Sequence, residues 1–368
     1  MEYDLILCGR QSIDGDTAQV GPMLSQKLSI PVITNAMKIT CKDNTVFADT
    51  RAGEEKVNLP ALLTVERGFV LRFPSIFSKV GEVATIDNTK LNCDISKCGL
   101  AGSPTRVLEA FENESGKRKC KFISKDELIP LVEKLMKQER CEEKKNTDRA
   151  KFKSVWAVGE EVIEKAKEIA DEVIFVEKST PEEIAKKAIE EKPDVILWNA
   201  DLWGRKNAPI VAAMLDTGLC ADCTMLEANG ENLIMYRPAQ GGNITAKIKC
   251  LTKPQMATVR TKSESSDIII SGGKGIANNI EMLEELARKL NAQIGASRGL
   301  VDMNKMSYDK QIGLTGKTVS PKIYIAIGIS GAIHHTCAIE GSTTIIAINP
   351  DKDARIFEYA DFGIIGCL

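Results

Sequence analysis

The stretch KIYIAIGISGAIHH runs from Lys322 to His335 and contains a glycine turn. Its first six residues are typical of a buried strand in a parallel sheet. In open α/β sheets ligands bind where strands end, and glycine lets backbone N–H groups approach an anion. A helix beginning near Ser330 would direct its positive end towards a diphosphate. The stretch therefore predicts an α/β domain with a nucleotide at a strand end.

Two more glycine turns lie nearby, SGGKG at 271–275 and QIGLTGKT at 311–318. We predict strands at 267–270 and 343–348 and a helix at 278–290. Each turn alone is weak evidence, because none completes a GxGxxG motif or a P-loop. Three turns interspersed with basic residues favour a dinucleotide site; these residues are Lys274, Arg298, Lys317 and His335. The region has no paired carboxylates, nucleophile–base pair or metal-ligand cluster, which favours a carried redox cofactor over side-chain catalysis.

Composition narrows the class of protein. A chain of 368 residues is long enough for two or three domains, and 43% hydrophobic with 27% charged residues is typical of globular proteins. The net charge of −2 gives no general attraction to nucleic acid or to an anionic membrane. We expect a cytoplasmic protein, because the sequence shows neither a signal peptide nor an apolar run of about 18 residues.

Eleven cysteines are scattered along the chain, and an odd number argues against a disulfide framework. Cys220 and Cys223 form the only CxxC pair, within an apolar stretch. The only histidines, His334 and His335, are adjacent, so the CxxC lacks a second pair of zinc ligands. We therefore expect structural thiols and no metal site.

A strand–loop–helix unit occurs twice in the first 220 residues. The strand at 3–8 and the helix at 23–28 match a strand at 194–198 and a helix at 210–215, with a loop at 204–209 before the second helix. Asp4 and Asp194 are 190 residues apart, and Pro22 and Pro209 are 187 apart. Two copies of one unit predict two parallel-sheet α/β subdomains in a pseudo-twofold relation.

Between the copies lies a charged stretch, 112–153, in which 126–138 has the apolar spacing of a helix. We interpret it as a solvated linker with one docking helix, since its charges are of both signs and no aromatic ladder accompanies them. Residues 160–198 then predict helix and strand in alternation, hence a parallel sheet. Thr180 and Pro181 form a good helix start.

The motifs of the last 110 residues strongly resemble the α-subunit of electron-transfer flavoproteins. They are GASR (295–298), LTGKT (314–318), YIAIGISGAIHH (324–335), AIN (347–349) and ADFGI (360–364). The resemblance extends back through QMATVR (255–260), RPA (237–239) with Gly241–Asn243, and ADCT (221–224). The front of the chain resembles the β-subunit instead, through DLILCGRQ (4–11), DGDTAQVGP (14–22), LPALLT (59–64) and GLAGSPT (99–105).

The resemblance implies a shortened β–α fusion. Its expected parts are a β-subunit-like α/β domain at 1–112, the linker at 113–153, an α-subunit-like α/β domain at 154–260 and an FAD-binding α/β domain at 261–368. The β-like part begins at what is usually the middle of that subunit, and the α-like part lacks much of its usual first half.

The resemblance also implies where FAD binds. Arg298 would lie over the isoalloxazine, where its charge favours the reduced flavin. Thr315 would approach the flavin N5 atom. His335 would lie near the flavin O2 atom, as a positive group or as a hydrogen-bond partner. Backbone N–H groups of Ser330–Ile333 would hold the ribityl–diphosphate region with Lys274 near the diphosphate. Asn349 and Asp361 would bind the adenosine half. The complete expected set is Lys274, Ser297, Arg298, Ile312, Gly313, Leu314, Thr315, Ser330, Gly331, Ala332, Ile333, His334, His335, Asn349, Asp361 and Phe362.

Three residues depart from the family pattern. Leu314 and His334 each replace a usual glutamine, and Pro350 stands where lysine is common. These changes alter the polarity expected around the flavin.

The β-like loop matches the segment that binds AMP, or a second FAD in electron-bifurcating members. Its residues are Gln11, Asp14, Gly15, Asp16, Thr17 and Gln19. A loop without a ligand stays an alternative, because the partner segments of that site are absent from the sequence. The loop that docks partner dehydrogenases resembles residues 72–80, without the usual following lysines.

We therefore expect a redox carrier without substrate chemistry of its own, in which Arg298, Thr315 and His335 tune a non-covalent FAD. Electrons would enter from a flavin-linked dehydrogenase and leave to another redox protein. The alternatives are a bifurcating flavoprotein that oxidises NADH, and a nucleotide-binding regulatory subunit. The sequence leaves open a dimer or a companion subunit.

Overall fold

The structure is a computed structural model that describes residues 3–12, 15–50, 52–66, 69, 75, 77, 85–112, 117–137, 152–240, 244–261 and 266–366. Several sequence predictions lie outside the described residues: Asp14, most of the 72–80 loop, and Gly241–Asn243. The chain forms two compact units. The first contains 1–110, 149–237 and 246–260, and the second contains 111–148, 238–245 and 261–368.

The first unit begins with one copy of the repeat. Its elements are β1 (Leu5–Gly9), α1 (Val20–Leu28), β2 (Val32–Ala36), β3 (Lys38–Lys42), β4 (Thr45–Thr50), β5 (Gly53–Asn58) and β6 (Ala61–Val65). Strands β1, β6 and β2 form a parallel sheet in that order, and β3–β5 form an antiparallel one. After this copy the chain continues through α2 (Asn88–Leu91), α3 (Gly99–Gly102) and β7 (Thr105–Glu112). It then forms β8 (Lys121–Phe122) and α4 (Leu128–Met136), which belong to the second unit.

The second copy is longer, because two strands and two helices precede it. These are β9 (Phe152–Val158), α5 (Ile163–Lys167), β10 (Ala170–Val176) and α6 (Pro181–Glu191). The repeat itself follows as β11 (Val195–Asn199), α7 (Leu202–Met214), β12 (Leu219–Cys223), β13 (Met225–Asn229), β14 (Asn232–Ala239), β15 (Ile244–Cys250) and β16 (Gln255–Val259). The parallel sheet has the order β10-β9-β11-β16-β12.

The two copies agree in fine detail, which confirms the predicted repeat. The order β1-β6-β2 recurs as β11-β16-β12, and a register shift falls at the same place in β2 and β12. At that shift Asn35 and Asp222 have φ of 60° and 67°. The N–H of Asn35 donates to Oγ1 of Thr64 at 2.9 Å, and the N–H of Asp222 donates to Oγ1 of Thr258 at 2.8 Å.

The predicted loop at 204–209 is instead part of α7. Asp201 caps the helix by accepting from the Gly204 N–H at 2.7 Å. A Cβ on Gly204 would lie 1.9 Å from the carbonyl oxygen of Asn199, so glycine is needed for a close strand–helix approach and does not mark a loop. The predicted capping of the helix after Thr180 is confirmed.

The second unit is built on a seven-stranded sheet. Its elements after residue 261 are β17 (Ile268–Gly272), α8 (Ile280–Lys289), β18 (Gln293–Ser297), α9 (Arg298–Asp302), β19 (Gln311–Ile312), β20 (Ile323–Ile327), α10 (Ile333–Thr336), β21 (Thr344–Asn349) and β22 (Phe362–Ile365). The order is β19-β18-β17-β20-β21-β22-β8, and every pair is parallel. The strands and the helix predicted here are confirmed.

Residues 117–137, assigned to a charged linker from the sequence, are an integral part of the second unit. β8 extends its sheet beside β22. Leu128 and Val132 of α4 are almost fully buried in its core. Arg118 donates to the Asp361 carboxylate and, at 2.7 Å, to the carbonyl oxygen of Ser342. The predicted docking helix is therefore confirmed, whereas strand β8 and the contacts of Arg118 were not predicted.

None of the helices that the structure describes has the length and apolar character needed to cross a lipid bilayer. Within the same residues, no three His, Cys, Asp or Glu side chains are grouped so that they could bind a metal ion. Cys220 and Cys223 are buried free thiols, and burial raises the pKa of the Cys223 thiol well above its ordinary value.

The docked position of α4 can be tested by truncating its buried face. Leu128→Ala should lower the free energy of unfolding of the second unit by about 2–5 kcal/mol, because it leaves a cavity in the core. The matched change Ile129→Ala, at an exposed position of the same helix, should cost less than about 1 kcal/mol. Denaturant unfolding measures both, and equal small effects would contradict the docking.

Candidate cofactor site in the second unit

Parallel pairing brings the carboxyl ends of β17, β20 and β21 to one edge of the seven-stranded sheet. Backbone hydrogen bonds fix the turns there. The N–H of Gly273 donates to Ile327 O at 2.8 Å, and the N–H of Gly328 donates to Ile348 O at 2.9 Å. The first and third glycine turns of the sequence therefore lie side by side.

After β20 the chain offers a run of unpaired donors. Within the described residues, the N–H groups of Ser330, Gly331, Ala332 and Ile333 have no hydrogen-bond acceptor. Gly331 has φ +86°, and a Cβ there would lie 2.2 Å from the backbone nitrogen of Ile356. Ser330 and Ala332 are exposed. Successive unpaired N–H groups at a surface turn suit an anion such as a diphosphate. The helix expected from Ser330 is only the single turn α10.

Two cations lie at the same edge. Lys274 follows β17 and is exposed, and Arg298 follows the adjacent strand β18. The aliphatic part of Lys274 covers Gly299, where a Cβ would lie 2.6 Å from its Cε. Nε of Arg298 donates to the Asp302 carboxylate at 3.3 Å, and the Arg298 side chain is 31% exposed. Ser297 precedes Arg298 as the N-cap of α9.

The turn after β19 holds Thr315 from two sides. Nε2 of Gln311 donates to its Oγ1 at 2.8 Å, and the hydroxyl of Tyr308 donates to its carbonyl at 2.6 Å. The Leu314 N–H donates to His334 O at 2.6 Å. Gly313 has φ +146°, and a Cβ there would lie 2.8 Å from the same oxygen. Gln311 and Tyr308 are positioning residues that sequence reasoning missed; their role depends on tertiary contacts.

His335 is buried, and both ring nitrogens have protein partners. Nδ1 lies 3.1 Å from Ile312 O, which only accepts, so Nδ1 carries the proton and Nε2 accepts from the Tyr324 hydroxyl at 2.8 Å. Burial lowers the pKa of His335 to about 4, although the bond to Ile312 opposes the shift. The ring is therefore neutral at pH 7, and it fixes Ile312 beside the glycine turn.

Asn349 lies at the carboxyl end of β21, as expected for this edge. Its Nδ2 donates to Ile329 O at 2.9 Å, and its Oδ1 accepts from the Asp351 N–H at 2.9 Å. The side chain thereby joins the end of β21 to the loop after β20.

Asp361 and Phe362 lie elsewhere, which corrects their placement in the expected site. Asp361 precedes β22, and its carboxylate accepts from the N–H of Ile345 at the start of β21. It therefore occupies the amino edge, about 13 Å along a strand of this length from Asn349. Its partner there is Arg118. Phe362 pairs with Lys121 at the same edge.

The loop after β1, the expected second-nucleotide segment, is tied to the second copy of the repeat. Gln11 donates to Asp16 at 2.8 Å, and Gln19 donates to Leu219 O at 3.1 Å. Arg237 donates to Gly15 O. Gly15, Asp16, Thr17 and Gln19 are half-buried. Of the expected set, the structure thus joins Gln11 to Asp16, while Gly15 and Gln19 contact the second copy.

A buried charge cluster lies at the carboxyl end of β12. The Asp222 carboxylate accepts from Arg205 and Arg260, each at 2.7 Å. Burial alone would raise the pKa of Asp222, but these two guanidinium groups outweigh it and hold the pKa well below its ordinary value. The aspartate of the ADCT motif is thus a structural anion.

Fold and site define an α/β protein whose second unit has, at one edge of a parallel sheet, unpaired N–H groups and two cations suited to an anionic ligand. A family model of the electron transfer flavoprotein domain matches residues 1–90 and 154–281, and one of the electron transfer flavoprotein FAD-binding domain matches 263–340. The chain belongs to the electron-transfer flavoprotein family: it binds FAD and transfers electrons.

The chain is also similar to curated relatives of the α-subunit type. Electron transfer flavoprotein subunit alpha of Thermoanaerobacterium thermosaccharolyticum is 41% identical over 232 residues, 50% of this chain and 70% of that protein. Its counterpart in Clostridium acetobutylicum is 39% identical over 227 residues, 48% of this chain and 68% of that protein. Protein FixB of Clostridium saccharobutylicum is 39% identical over 226 residues, which are 49% of this chain and 68% of that protein. This chain is α-subunit-like over the part that matches.

The neutral state of His335 predicts a pH dependence of stability. The unfolded histidine binds a proton near its ordinary pKa of about 6.5, whereas the folded ring resists it down to about 4. Stability is therefore full above pH 6.5 and falls as the pH drops towards 4, by at most about 3 kcal/mol. His335→Gln should lose this dependence, while His334→Gln, at an exposed ring, should keep it. Denaturant unfolding at pH 7, 6 and 5 measures the slopes; equal slopes for H335Q and the parent would refute the prediction.

Proposed function

We propose that FAD binds along the carboxyl edge of the seven-stranded sheet. The residues that hold it are Lys274, Ser297, Arg298, Ile312, Gly313, Leu314, Thr315, Ser330, Gly331, Ala332, Ile333, His334, His335 and Asn349. The observation that carries the proposal is the run of unpaired N–H groups at 330–333 with Lys274 and Arg298 at the same edge. We leave Asp361 and Phe362 out, because they lie at the other edge.

Bound FAD supplies reversible one-electron and two-electron chemistry. Arg298 provides a fixed positive charge that favours added electrons nearby. Because Gln311 donates to Thr315, the Thr315 hydroxyl keeps its own proton free to donate. His335 is a positioning residue rather than a source of positive charge, since its pKa is about 4 and both nitrogens are engaged.

We further propose that the first copy is a reduced β-subunit-like part fused to an α-subunit-like part. The repeated fold supports this, and so do matches of the electron transfer flavoprotein domain at both 1–90 and 154–281. In the proposed carrier, electrons enter from a flavin-linked dehydrogenase and leave to a redox protein. The nine free cysteines among the described residues fit a reducing compartment such as the cytoplasm.

A second nucleotide on the β1 loop is an alternative that one observation favours. Arg237 is buried beside Gly15, and its Nη2 has no partner among the described residues. Arg237 thus places a positive charge beside this loop, and positive charge near a nucleotide favours its phosphate groups. A second FAD there would support electron bifurcation, and AMP would support a structural role.

Flavin stoichiometry tests the proposed function. The purified protein, after incubation with FAD and desalting, should show a flavin absorption spectrum that bleaches with dithionite and release one FAD per chain. Two FADs per chain would favour the bifurcating alternative. A colourless protein that retains only AMP or ADP would contradict the carrier and favour a regulatory subunit.

The charge of Arg298 predicts the flavin potential. Arg298→Gln should lower the potential by roughly 100 mV, because a unit charge a few ångströms away at an effective dielectric of about 20 contributes a few kcal/mol. Arg288 is an exposed arginine of α8. Arg288→Gln removes the same charge farther from the flavin and should shift the flavin potential by much less. Redox titration with a reference dye measures both variants. An unchanged potential in R298Q with FAD fully bound would contradict the assigned role.

A further inference from the structure

The two copies of the repeat differ in what covers them. In the second copy β11 pairs with β9 on the side away from β16, and every residue from Val195 to Trp198 is buried. In the first copy β1 pairs, within the described residues, with β6 alone. Leu7 is 53% exposed, although its counterpart Leu197 is fully buried.

The neighbouring helix shows the same contrast. Residue 24 of α1 corresponds to residue 211 of α7, by the offset of 187 that relates Pro22 to Pro209. Val211 is fully buried against Ile184, Ala185 and Ala188 of α6. Leu24 is 36% exposed, and Val20 and Leu28 of the same helix are exposed as well. The first copy therefore exposes the apolar surfaces that β9 and α6 cover in the second.

The other face of the sheet repeats the pattern. Leu197 packs in one cluster with Val155 and Ala157 of β9. Ala166 of α5 and Val162, just before that helix, belong to the same cluster. The second copy thus covers β11 with a strand at its edge and a helix on each face. By the repeat, the surface exposed by β1 and α1 corresponds to the surface that this β–α–β–α unit covers in the second copy.

Edge strands without a partner are normally protected by charge. β10, at the edge of the longer sheet, carries exposed Asp171 and Glu172. β1 has no charged residue from Leu5 to Gly9, and its exposed edge is apolar. A strand of that kind is a template for pairing with another chain.

We propose that the β1 edge and the α1 face form a docking surface for a companion polypeptide. The partner supplies a strand parallel to β1 with one amphipathic helix on each side of the sheet, as residues 152–191 do for β11. Main-chain hydrogen bonds to β1 give affinity, and Leu7 and Leu24 are the apolar anchors. This surface lies in the first unit and does not depend on where FAD binds.

Hydrogen exchange of the full chain, with its mass in solution, tests the open edge. We expect a monomer in which amides of β1 exchange at least about 100-fold faster than those of β11. Slow exchange of β1 in a monomer would overturn the proposal, because the chain would then cover its own edge. Slow exchange in a dimer would overturn it in favour of a second copy as the occupant.

A graft tests the fit of the occupant. Residues 152–193 are placed directly before Asp4, so that the new junction copies the natural one between Pro193 and Asp194. β1 amides should then exchange about as slowly as those of β11. Leu7→Asp should speed the exchange of the β1 amides at least about tenfold in the graft, where Leu7 is covered. The same change should have little effect in the parent chain, where Leu7 is exposed. Leu108→Asp, an exposed leucine of β7, should have little effect in either. A graft that leaves β1 exchange unchanged, or one in which L7D has no effect, would overturn the proposal.

Discussion

Parallel backbone pairing in the seven-stranded sheet is the constraint on which the cofactor site depends. It places the ends of β17, β20 and β21 at one edge, and it fixes the turns through the bonds from Gly273 to Ile327 and from Gly328 to Ile348. In the loop after β20, the N–H groups of Ser330–Ile333 have no acceptor among the residues that the structure describes. The site is thus a property of backbone geometry, to which side chains add charge.

The second constraint is the repeat in the first unit. Both copies keep the same strand order, the same register shift and the same positive φ, although Asn35 in one corresponds to Asp222 in the other. The change from amide to carboxylate requires Arg205 and Arg260 around Asp222, since burial of an unpaired carboxylate is costly. A common backbone therefore supports different polar interiors.

Sequence reasoning predicted the strands and turns of the second unit because each is specified locally, by an apolar run that ends in glycine. It misplaced 204–209 because the glycine there serves a close strand–helix approach. The apolar spacing at 126–138 predicted the docking helix correctly, but no local pattern predicted strand β8 or the contact of Arg118 with Asp361. Asp361 was assigned by motif, yet it precedes its strand and so must lie at the amino edge. The positions of Gln311 and Tyr308 follow from tertiary contacts that no local pattern contains.

Hydrogen exchange of the whole chain with and without FAD, resolved to short peptides, tests whether FAD binds at the carboxyl edge of the seven-stranded sheet. FAD should slow exchange in peptides covering 328–336, because the unpaired N–H groups of Ser330–Ile333 then gain an acceptor. It should also slow exchange in peptides covering 272–276, because the bound cofactor shields that turn from water. Peptides covering 117–123 and 361–365, at the amino edge, should be unchanged. Protection confined to the amino edge, or FAD bound without any slowing at 328–336, would contradict the account.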